Sequence, residues 1–69
     1  MKLSTRNSIK GTVKKIELGT VNAEITLEIA PGIEVVSVIT KSSAEKLSLV
    51  EGKEAYALMK ATDVAIAVD

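Results

Sequence analysis

The chain has 69 residues, its nine basic and nine acidic side chains cancel, and it contains neither cysteine nor histidine. This length allows one domain, the composition excludes disulfides and zinc sites of the His/Cys type, and the balanced charge disfavours a general polyanion binder. No run approaches the ~20 apolar residues of a membrane span, and the N-terminus lacks the apolar stretch of a signal peptide, so we expect a cytoplasmic protein.

Two strands are predicted in the first part of the chain. The first includes Ile9 to Val13, after which the apolar parity changes, and this indicates a bulge near Lys14-Lys15. Gly19-Thr20 is a turn signal. From Val21 to Ile29 apolar and polar residues alternate without interruption, which is the clearest strand pattern in the sequence.

A third strand is predicted after the Pro31-Gly32 turn, over Ile33 to Thr40. Its apolar residues lie on both faces, because Val36 and Val38 point away from the side that carries Val35 and Ile39. A strand with two apolar faces is typically covered on both. We therefore expect another subunit to cover the second face.

A short helix is predicted next, because Ser42 and Glu45 have the spacing of a capping box and Leu49 to Gly52 ends it. The last two strands are predicted over Ala55 to Lys60 and Val64 to Val68. Ala61-Thr62-Asp63 interrupts them as a tight connection or bulge. Five antiparallel strands with one helix between strands 3 and 4 predict an all-β, OB-like barrel, with an SH3-like barrel as the alternative.

The residue types argue against two common functions. Nucleophilic catalysis needs a nucleophile held by a base, and no serine is paired with a lysine or carboxylate at a recognisable spacing, so we do not expect an enzyme. Single-strand nucleic-acid binders present several aromatic rings on a basic groove. This chain has Tyr56 as its only aromatic residue, so an OB-fold nucleic-acid-binding module is kept only as the alternative.

Oxyanion binding fits the polar residues better. A tetrahedral dianion such as molybdate or tungstate offers only acceptor lone pairs, so its site should contain donors alone. The candidate donors are Ser4, Arg6, Thr40, Ser43, Lys60 and the backbone N–H of Ala61. The competing interpretation is structural, because a serine before a helix is commonly a cap and isolated basic residues commonly face solvent.

The order of several motifs resembles one family. Ser4-Thr5-Arg6-Asn7 followed by Gly11-Thr12-Val13 resembles the S-x-R-N-x-x-x-G-x-V opening of the molbindins, small molybdate-binding proteins built from a single Mop (TOBE-type) domain. The resemblance continues through Val21-Asn22-Ala23-Glu24 and the segment from Leu47 to Glu54, and ends with Lys60-Ala61-Thr62-Asp63-Val64. It covers essentially the whole chain, so residues 1–69 are expected to form one such domain.

The resemblance implies a homohexamer, assembled as a trimer of dimers, that stores or buffers molybdate in the cytoplasm, with tungstate as a near-equivalent ligand. It implies no organic cofactor, no metal coordinated by side chains, and neither a nucleic-acid nor a membrane partner. The main sites would lie between subunits, with Ser4 and Arg6 from one chain and Lys60, Ala61, Thr40 and Ser43 from its neighbour. A second site near the threefold axis would involve Thr20, Val21 and Asn22. Some relatives carry serine where this chain has Ala61, so one hydroxyl contact is expected to be missing.

Overall fold

A computed structural model describes residues 4–69 and contains four strands and one short α-helix. The elements are β1 (Asn7–Leu18), β2 (Asn22–Ala30), β3 (Ile33–Thr40), α1 (Lys41–Lys46) and β4 (Glu54–Met59), followed by a 3-10 turn at Ala61–Asp63. All pairings are antiparallel, and the strand order in the sheet is β3-β2-β1-β4. Strands β3 and β4 therefore form the two edges.

The long strand β1 pairs with a different strand along each half of its length. Its first half pairs with β4, from Asn7 opposite Met59 onward, and its second half pairs with β2, ending with Leu18 opposite Ala23. The predicted bulge is confirmed, because the register with β2 shifts between Val13 and Lys15. A bulge bends a strand and increases its twist, so the sheet curls into a half-barrel.

One glycine makes this curl possible. A Cβ atom at Gly11 would lie 2.9 Å from the carbonyl oxygen of Glu28, a distance that no other residue type tolerates without a backbone shift. The close approach of β1 and β2 just before the bulge therefore requires glycine.

The core lies on the concave side of the half-barrel and is small. It contains five buried apolar residues, of which Val13 is 1% exposed: Val13, Ala23, Ile25, Leu27 and Ala44. Ala44 belongs to α1, so the helix closes one end of the core. Burying a side chain of the size of valine or leucine contributes about 1.5–3 kcal/mol, and a core of this size gives a correspondingly modest total.

The helix starts earlier than the sequence predicts. Its N-cap is Thr40, whose Oγ1 accepts a hydrogen bond of 3.0 Å from the backbone N–H of Ser43, so the predicted cap at Ser42 is wrong. Thr40 ends β3 in an extended conformation, and the N–H of Lys41 donates to the Val21 carbonyl at 2.7 Å. Because β3 ends at Thr40 and α1 begins at the next residue, Thr40 rather than Ser42 occupies the N-cap position.

The predicted fifth strand, Val64 to Val68, is also wrong for the single chain. Within residues 4–69 this segment pairs with no strand, although Val64 has extended dihedral angles. An alternating apolar pattern favours an extended conformation, but a strand also needs backbone hydrogen bonds to a neighbouring strand. The 3-10 turn interrupts the chain after β4, and residues 64–68 form no such pairing within the described chain. The all-β antiparallel architecture and the helix between the third and fourth strands are confirmed.

The predicted apolar second face of β3 is exposed in the chain. Val36 is 57% exposed and Val38 is 64% exposed.

Among the described residues, no helix is long and apolar enough to cross a membrane.

Candidate functional site

The strand register brings two cations together at one end of the sheet. Asn7 lies opposite Met59 in the antiparallel pairing of β1 and β4. Arg6 precedes Asn7 and Lys60 follows Met59, so both residues directly adjoin this last pair of the ladder, and both are exposed. Like charges at the same end of a sheet repel each other, so a bound anion would remove an unfavourable interaction.

No carboxylate neutralises these two cations within residues 4–69. The ion pairs of this part of the chain are made by Lys10, Lys14 and Lys15. Asp63 is close in sequence to Lys60, but it contacts Lys60 through its backbone N–H, which donates to the Lys60 carbonyl at 2.9 Å. Arg6 and Lys60 are therefore two cations at one end of the sheet that form no ion pair within the described residues.

Uncharged donors lie beside the two cations. Ser4 is exposed two residues before Arg6, and Ala61 opens the 3-10 turn directly after Lys60. The N–H of Ala61 makes no backbone hydrogen bond within residues 4–69, as expected for the first residue of such a turn. We call Ser4, Arg6, Lys60 and Ala61 the cationic group.

One further hydroxyl near this group was missed by sequence reasoning. The Oγ1 atom of Thr5 is buried and has no hydrogen-bond partner in the described part of the chain. Buried polar atoms are nearly always paired, so such an atom indicates a partner that the isolated chain does not supply. No sequence pattern could have identified it, because a threonine next to Ser4 and Arg6 is ordinary in a strand-rich chain.

The other two candidate residues form a hydroxyl pair at the start of α1. The Thr40 Oγ1 accepts the Ser43 N–H and donates to the Ser43 Oγ at 2.7 Å. The one hydroxyl proton of Thr40 is thereby used, whereas the hydroxyl proton of Ser43 is left to donate to something else. We call Thr40 and Ser43 the hydroxyl group.

The structure holds the cationic group and the hydroxyl group at opposite ends of β1. The cationic group adjoins the first residue of β1, whereas Thr40 lies opposite Asn22, beyond the pairing of Leu18 with Ala23 that ends the strand. The 12 residues of β1 follow a curved path of about 35–40 Å at roughly 3.3 Å each. One small anion therefore does not contact both groups of the same chain.

The residues of the expected second site are at the same end as the hydroxyl group. Thr20, Val21 and Asn22 form the turn between β1 and β2, and Val21 accepts the backbone hydrogen bond from Lys41. The adjoining cavity is lined by Glu17 and Glu24, which are partners in the ladder, and Lys15 pairs with Glu17 at 3.1 Å. Two carboxylates and one lysine leave a net negative charge beside this turn, so it is a poorer place for an anion than the cationic group.

Comparison with known proteins identifies the family. The TOBE domain model matches residues 3–66. A probable molybdenum-pterin-binding protein of Haemophilus influenzae is 44% identical over 69 residues, which cover all of both chains.

Two solved structures agree with this match. MopII of Clostridium pasteurianum has a TM-score of 0.91 and 43% identity, over 97% of this chain and all of that one. A molybdate-binding protein of Sporomusa ovata has a TM-score of 0.91 and 43% identity, over 99% of this chain and all of that one. The chain therefore belongs to the TOBE-domain family and, within it, to the Mop-type proteins, the molbindins.

Proposed function

We propose that this chain binds molybdate or tungstate as a free oxyanion, in sites formed between subunits of a homo-oligomer, and serves as a cytoplasmic store or buffer of that anion. Residues 1–69 would act as one Mop (TOBE-type) domain without an enzymatic activity or an organic cofactor. The observation that carries the proposal is that Arg6 and Lys60 adjoin the last pair of the β1–β4 ladder and that neither forms an ion pair with a carboxylate among residues 4–69. The similarity to a probable molybdenum-pterin-binding protein and to a molybdate-binding protein supports it.

The main site would be assembled between two chains, each of which contributes residues from a different end of its β1 strand. The cationic group of one subunit would meet the hydroxyl group of its neighbour around one anion. This division differs from the one that the family resemblance implied, in which Lys60 and Ala61 accompany Thr40 and Ser43. The strand register supports the new division, because Arg6 and Lys60 adjoin the same end of β1.

Charge and donor chemistry would set the affinity and selectivity. Micromolar binding corresponds to about 8 kcal/mol, and several charge-assisted hydrogen bonds of about 1.5–3 kcal/mol each can supply it. Hydrogen phosphate carries a proton that would face another donor in this site, so it would bind weakly. Sulfate carries no such proton and would be rejected by size, because its oxygens lie closer to the central atom.

The proposed assembly is a homohexamer built as a trimer of dimers. The exposed apolar residues of β3, Val36 and Val38, support burial against another subunit. So does the short chain, because a domain of this size buries only about 60% of the surface of its unfolded chain. Thr20, Val21 and Asn22 form a proposed second anion site, which is weaker than the main site because Glu17 and Glu24 line the adjoining cavity.

Isothermal titration calorimetry with sodium molybdate, tungstate, sulfate and phosphate tests the function, and native mass spectrometry counts chains and anions in the same samples. We expect micromolar or tighter binding of molybdate and tungstate and much weaker binding of the other two. Equal affinity for sulfate would refute the size argument. If the protein bound a pterin-linked molybdenum compound but not free molybdate, the proposed ligand would be wrong. Tight binding of single-stranded DNA with no response to any anion would instead favour the nucleic-acid-binding alternative.

Mixed assemblies test how the site is divided between chains. Two variants are unfolded together, reassembled and titrated with molybdate. Mixing Lys60→Ala with Ser43→Ala should restore some full sites, because one chain keeps an intact cationic group and the other keeps an intact hydroxyl group. Mixing Arg6→Ala with Lys60→Ala should restore none, since both changes damage the same group. Recovery in the second mixture alone would establish the division implied by the resemblance and overturn ours.

A further inference from the structure

The C-terminal end of α1 is held by one lysine. The Nζ atom of Lys53 donates hydrogen bonds to the carbonyl oxygens of Leu47, at 2.8 Å, and of Ser48, at 3.2 Å. Carbonyls at the end of a helix have no partner within it, and a cation placed there also interacts favourably with the helix dipole. Glu51 and Glu54 are close to Lys53 in the sequence, yet Lys53 forms no ion pair within residues 4–69. Its ammonium is thus directed at main-chain carbonyls rather than at a carboxylate.

The turn at Ser48 belongs to this arrangement. Ser48 has a φ of 53°, in the left-handed region that is unfavourable for a residue with a Cβ atom. Its N–H donates to the Glu45 carbonyl at 3.0 Å, so the chain turns directly after the helix. Such a conformation persists where the surrounding contacts hold it. The two hydrogen bonds from Lys53 are contacts of this kind.

The backbone of Lys53 is itself fixed to the buried core. The Val13 N–H donates to the Lys53 carbonyl at 2.8 Å, and the Gly52 N–H donates to the Val13 carbonyl at 2.8 Å. Val13 is buried and adjoins the bulge in β1. Lys53 therefore ties the end of α1 to the most buried part of the sheet.

A short path of hydrogen bonds leads from Lys53 to Ser43. The Leu47 carbonyl accepts from Lys53, and the Leu47 N–H donates to the Ser43 carbonyl at 3.0 Å. The helix has six residues, so its orientation depends on contacts with the rest of the chain rather than on its own stability. Thr40 fixes its N-terminal end, and Lys53 fixes the other. The direction in which the Ser43 hydroxyl donates therefore depends on both ends.

We propose that Lys53 is a positioning residue of the anion site, which holds α1 in the orientation that lets the Ser43 hydroxyl donate to the anion. Its ammonium is engaged by carbonyls at the opposite end of the helix and does not contact the anion itself. The inference rests on the proposed function, in which Ser43 contacts the anion. It extends the site to a residue that neither the charge nor the register of the cationic group involves.

A double-mutant cycle tests the coupling between Lys53 and Ser43. Lys53→Met keeps most of the side-chain length and removes both hydrogen bonds. Calorimetry with sodium molybdate should show about three- to tenfold weaker binding, part of the roughly ten- to 150-fold that losing the whole Ser43 hydrogen bond to the anion would cost. In a Ser43→Ala background the same change should alter the affinity by less than about twofold, because the donor that Lys53 positions is already absent. Wild-type affinity in Lys53→Met, or an equal loss in both backgrounds, would overturn the proposal.

Three further variants separate positioning from charge and from folding. Lys46→Met removes the same charge from the last turn of α1, where the Lys46 Nζ makes no hydrogen bond or ion pair within residues 4–69, and it should keep the wild-type affinity. Lys53→Arg again places N–H donors on a long side chain and should restore the affinity to within about twofold of the wild type. Lys53→Gln, which is shorter and uncharged, takes the place of Lys53→Met in the cycle if that variant does not fold. Equal losses in Lys46→Met and Lys53→Met, or no recovery in Lys53→Arg, would contradict the positioning role.

The wild-type and Ser43→Ala titrations separate this inference from the proposed function. If the wild-type protein binds no molybdate, the ligand assignment fails and the positioning role fails with it. If the wild-type protein binds molybdate and Ser43→Ala weakens the binding while Lys53→Met does not, the ligand assignment stands and the positioning role alone fails.

Discussion

The two halves of this half-barrel differ in how much of their strand pairing and apolar burial the single chain provides. In the closed half, the second part of β1 pairs with β2 and β3, and α1 covers the end of the core with Ala44. In the open half, β4 pairs with β1, and residues 64–68 have no strand partner in the described chain. The closed half holds the buried core and leaves the outer side of β3, with Val36 and Val38, exposed, whereas the open half carries the cationic group and the exposed apolar residues 64–68.

The difference indicates a division of roles. The buried core of this small chain belongs to the closed half, and the cationic group belongs to the open half. Changes to the buried residues of the closed half should therefore lower the stability of every form of the protein, while changes to exposed residues of the cationic group should alter ligand binding.

The largest effect is expected from breaking the closed half. Val13→Ala removes two methyl groups from the most completely buried of the larger side chains and should lower the free energy of unfolding by about 2–3 kcal/mol. Urea unfolding without ligand, at one protein concentration for all samples, measures the change. Val21→Ala is the control, because its side chain is 68% exposed and the expected change is within about 0.5 kcal/mol. Equal losses in both variants would contradict a core centred on Val13.

The closed half is also the part that the sequence predicts well. The alternation from Val21 to Ile29, the turn at Pro31-Gly32 and the parity change near Lys14 all reflect local rules, and the structure confirms each of them. The helix start shows where a local rule fails. The spacing of Ser42 and Glu45 favours a capping box, but the pairing of Thr40 with Asn22 fixes the end of β3 and makes Thr40 the cap.

The open half shows why the rest could not be predicted. The pattern of residues 64–68 predicts a strand that the single chain does not form, because the pattern contains no information about which sheet edge would pair with it. The same holds for the candidate site. The residue types suggest a donor-only site, but only the register of Asn7 with Met59 shows that Arg6 and Lys60 share one end of the sheet. The residue-by-residue assignment of the anion site remains a prediction.

The next largest effect concerns the cationic group. Lys60→Ala and Arg6→Ala should each weaken molybdate binding by about 1.5–3 kcal/mol, roughly ten- to 150-fold, because each removes a charged hydrogen-bond donor. Calorimetry measures the affinity, and urea unfolding of the ligand-free protein should show little loss, since both side chains are exposed. Lys46→Ala is the control, because this exposed lysine lies on α1 and outside the proposed site. A Lys60→Ala variant with wild-type affinity would remove the central argument for the site.

A smaller effect is expected from Thr5→Val, which tests whether the open half receives a partner for the Thr5 hydroxyl. In the isolated chain the hydroxyl is buried without a partner, so replacing it by a methyl group should be neutral or slightly stabilising. In the assembly a neighbouring chain would satisfy the hydroxyl, and its loss would cost about 1 kcal/mol. Unfolding measured over a range of protein concentrations distinguishes these cases, and a stabilised variant under assembling conditions would show that the hydroxyl has no partner there. Thr12→Val, at an exposed position on β1, is the control.

The smallest effect should come from the exposed face of the closed half, where Lys14 links three strands. Its Nζ lies 2.6 Å from a Glu34 carboxylate oxygen and 3.6 Å from one of Glu28. The hydrogen bond to Glu34, followed by the charges of Glu34 and Glu28, raises the pKa of Lys14 above its ordinary value. A raised pKa in the folded state means that the stabilisation is fully present below the pKa of the unfolded chain and is lost as the pH rises through the higher, folded value.

Lys14→Met should therefore lower stability slightly at neutral pH, and the difference from the wild-type protein should shrink in alkaline solution. The effect is small because all three side chains are exposed and water screens their charges. Added salt should reduce the difference further at neutral pH. Thermal unfolding at several pH values and two salt concentrations measures both trends. If the difference instead stayed constant as the pH rose, the contribution of Lys14 would have to come from the packing of its aliphatic stem rather than from its charge, because only the charge is lost on deprotonation.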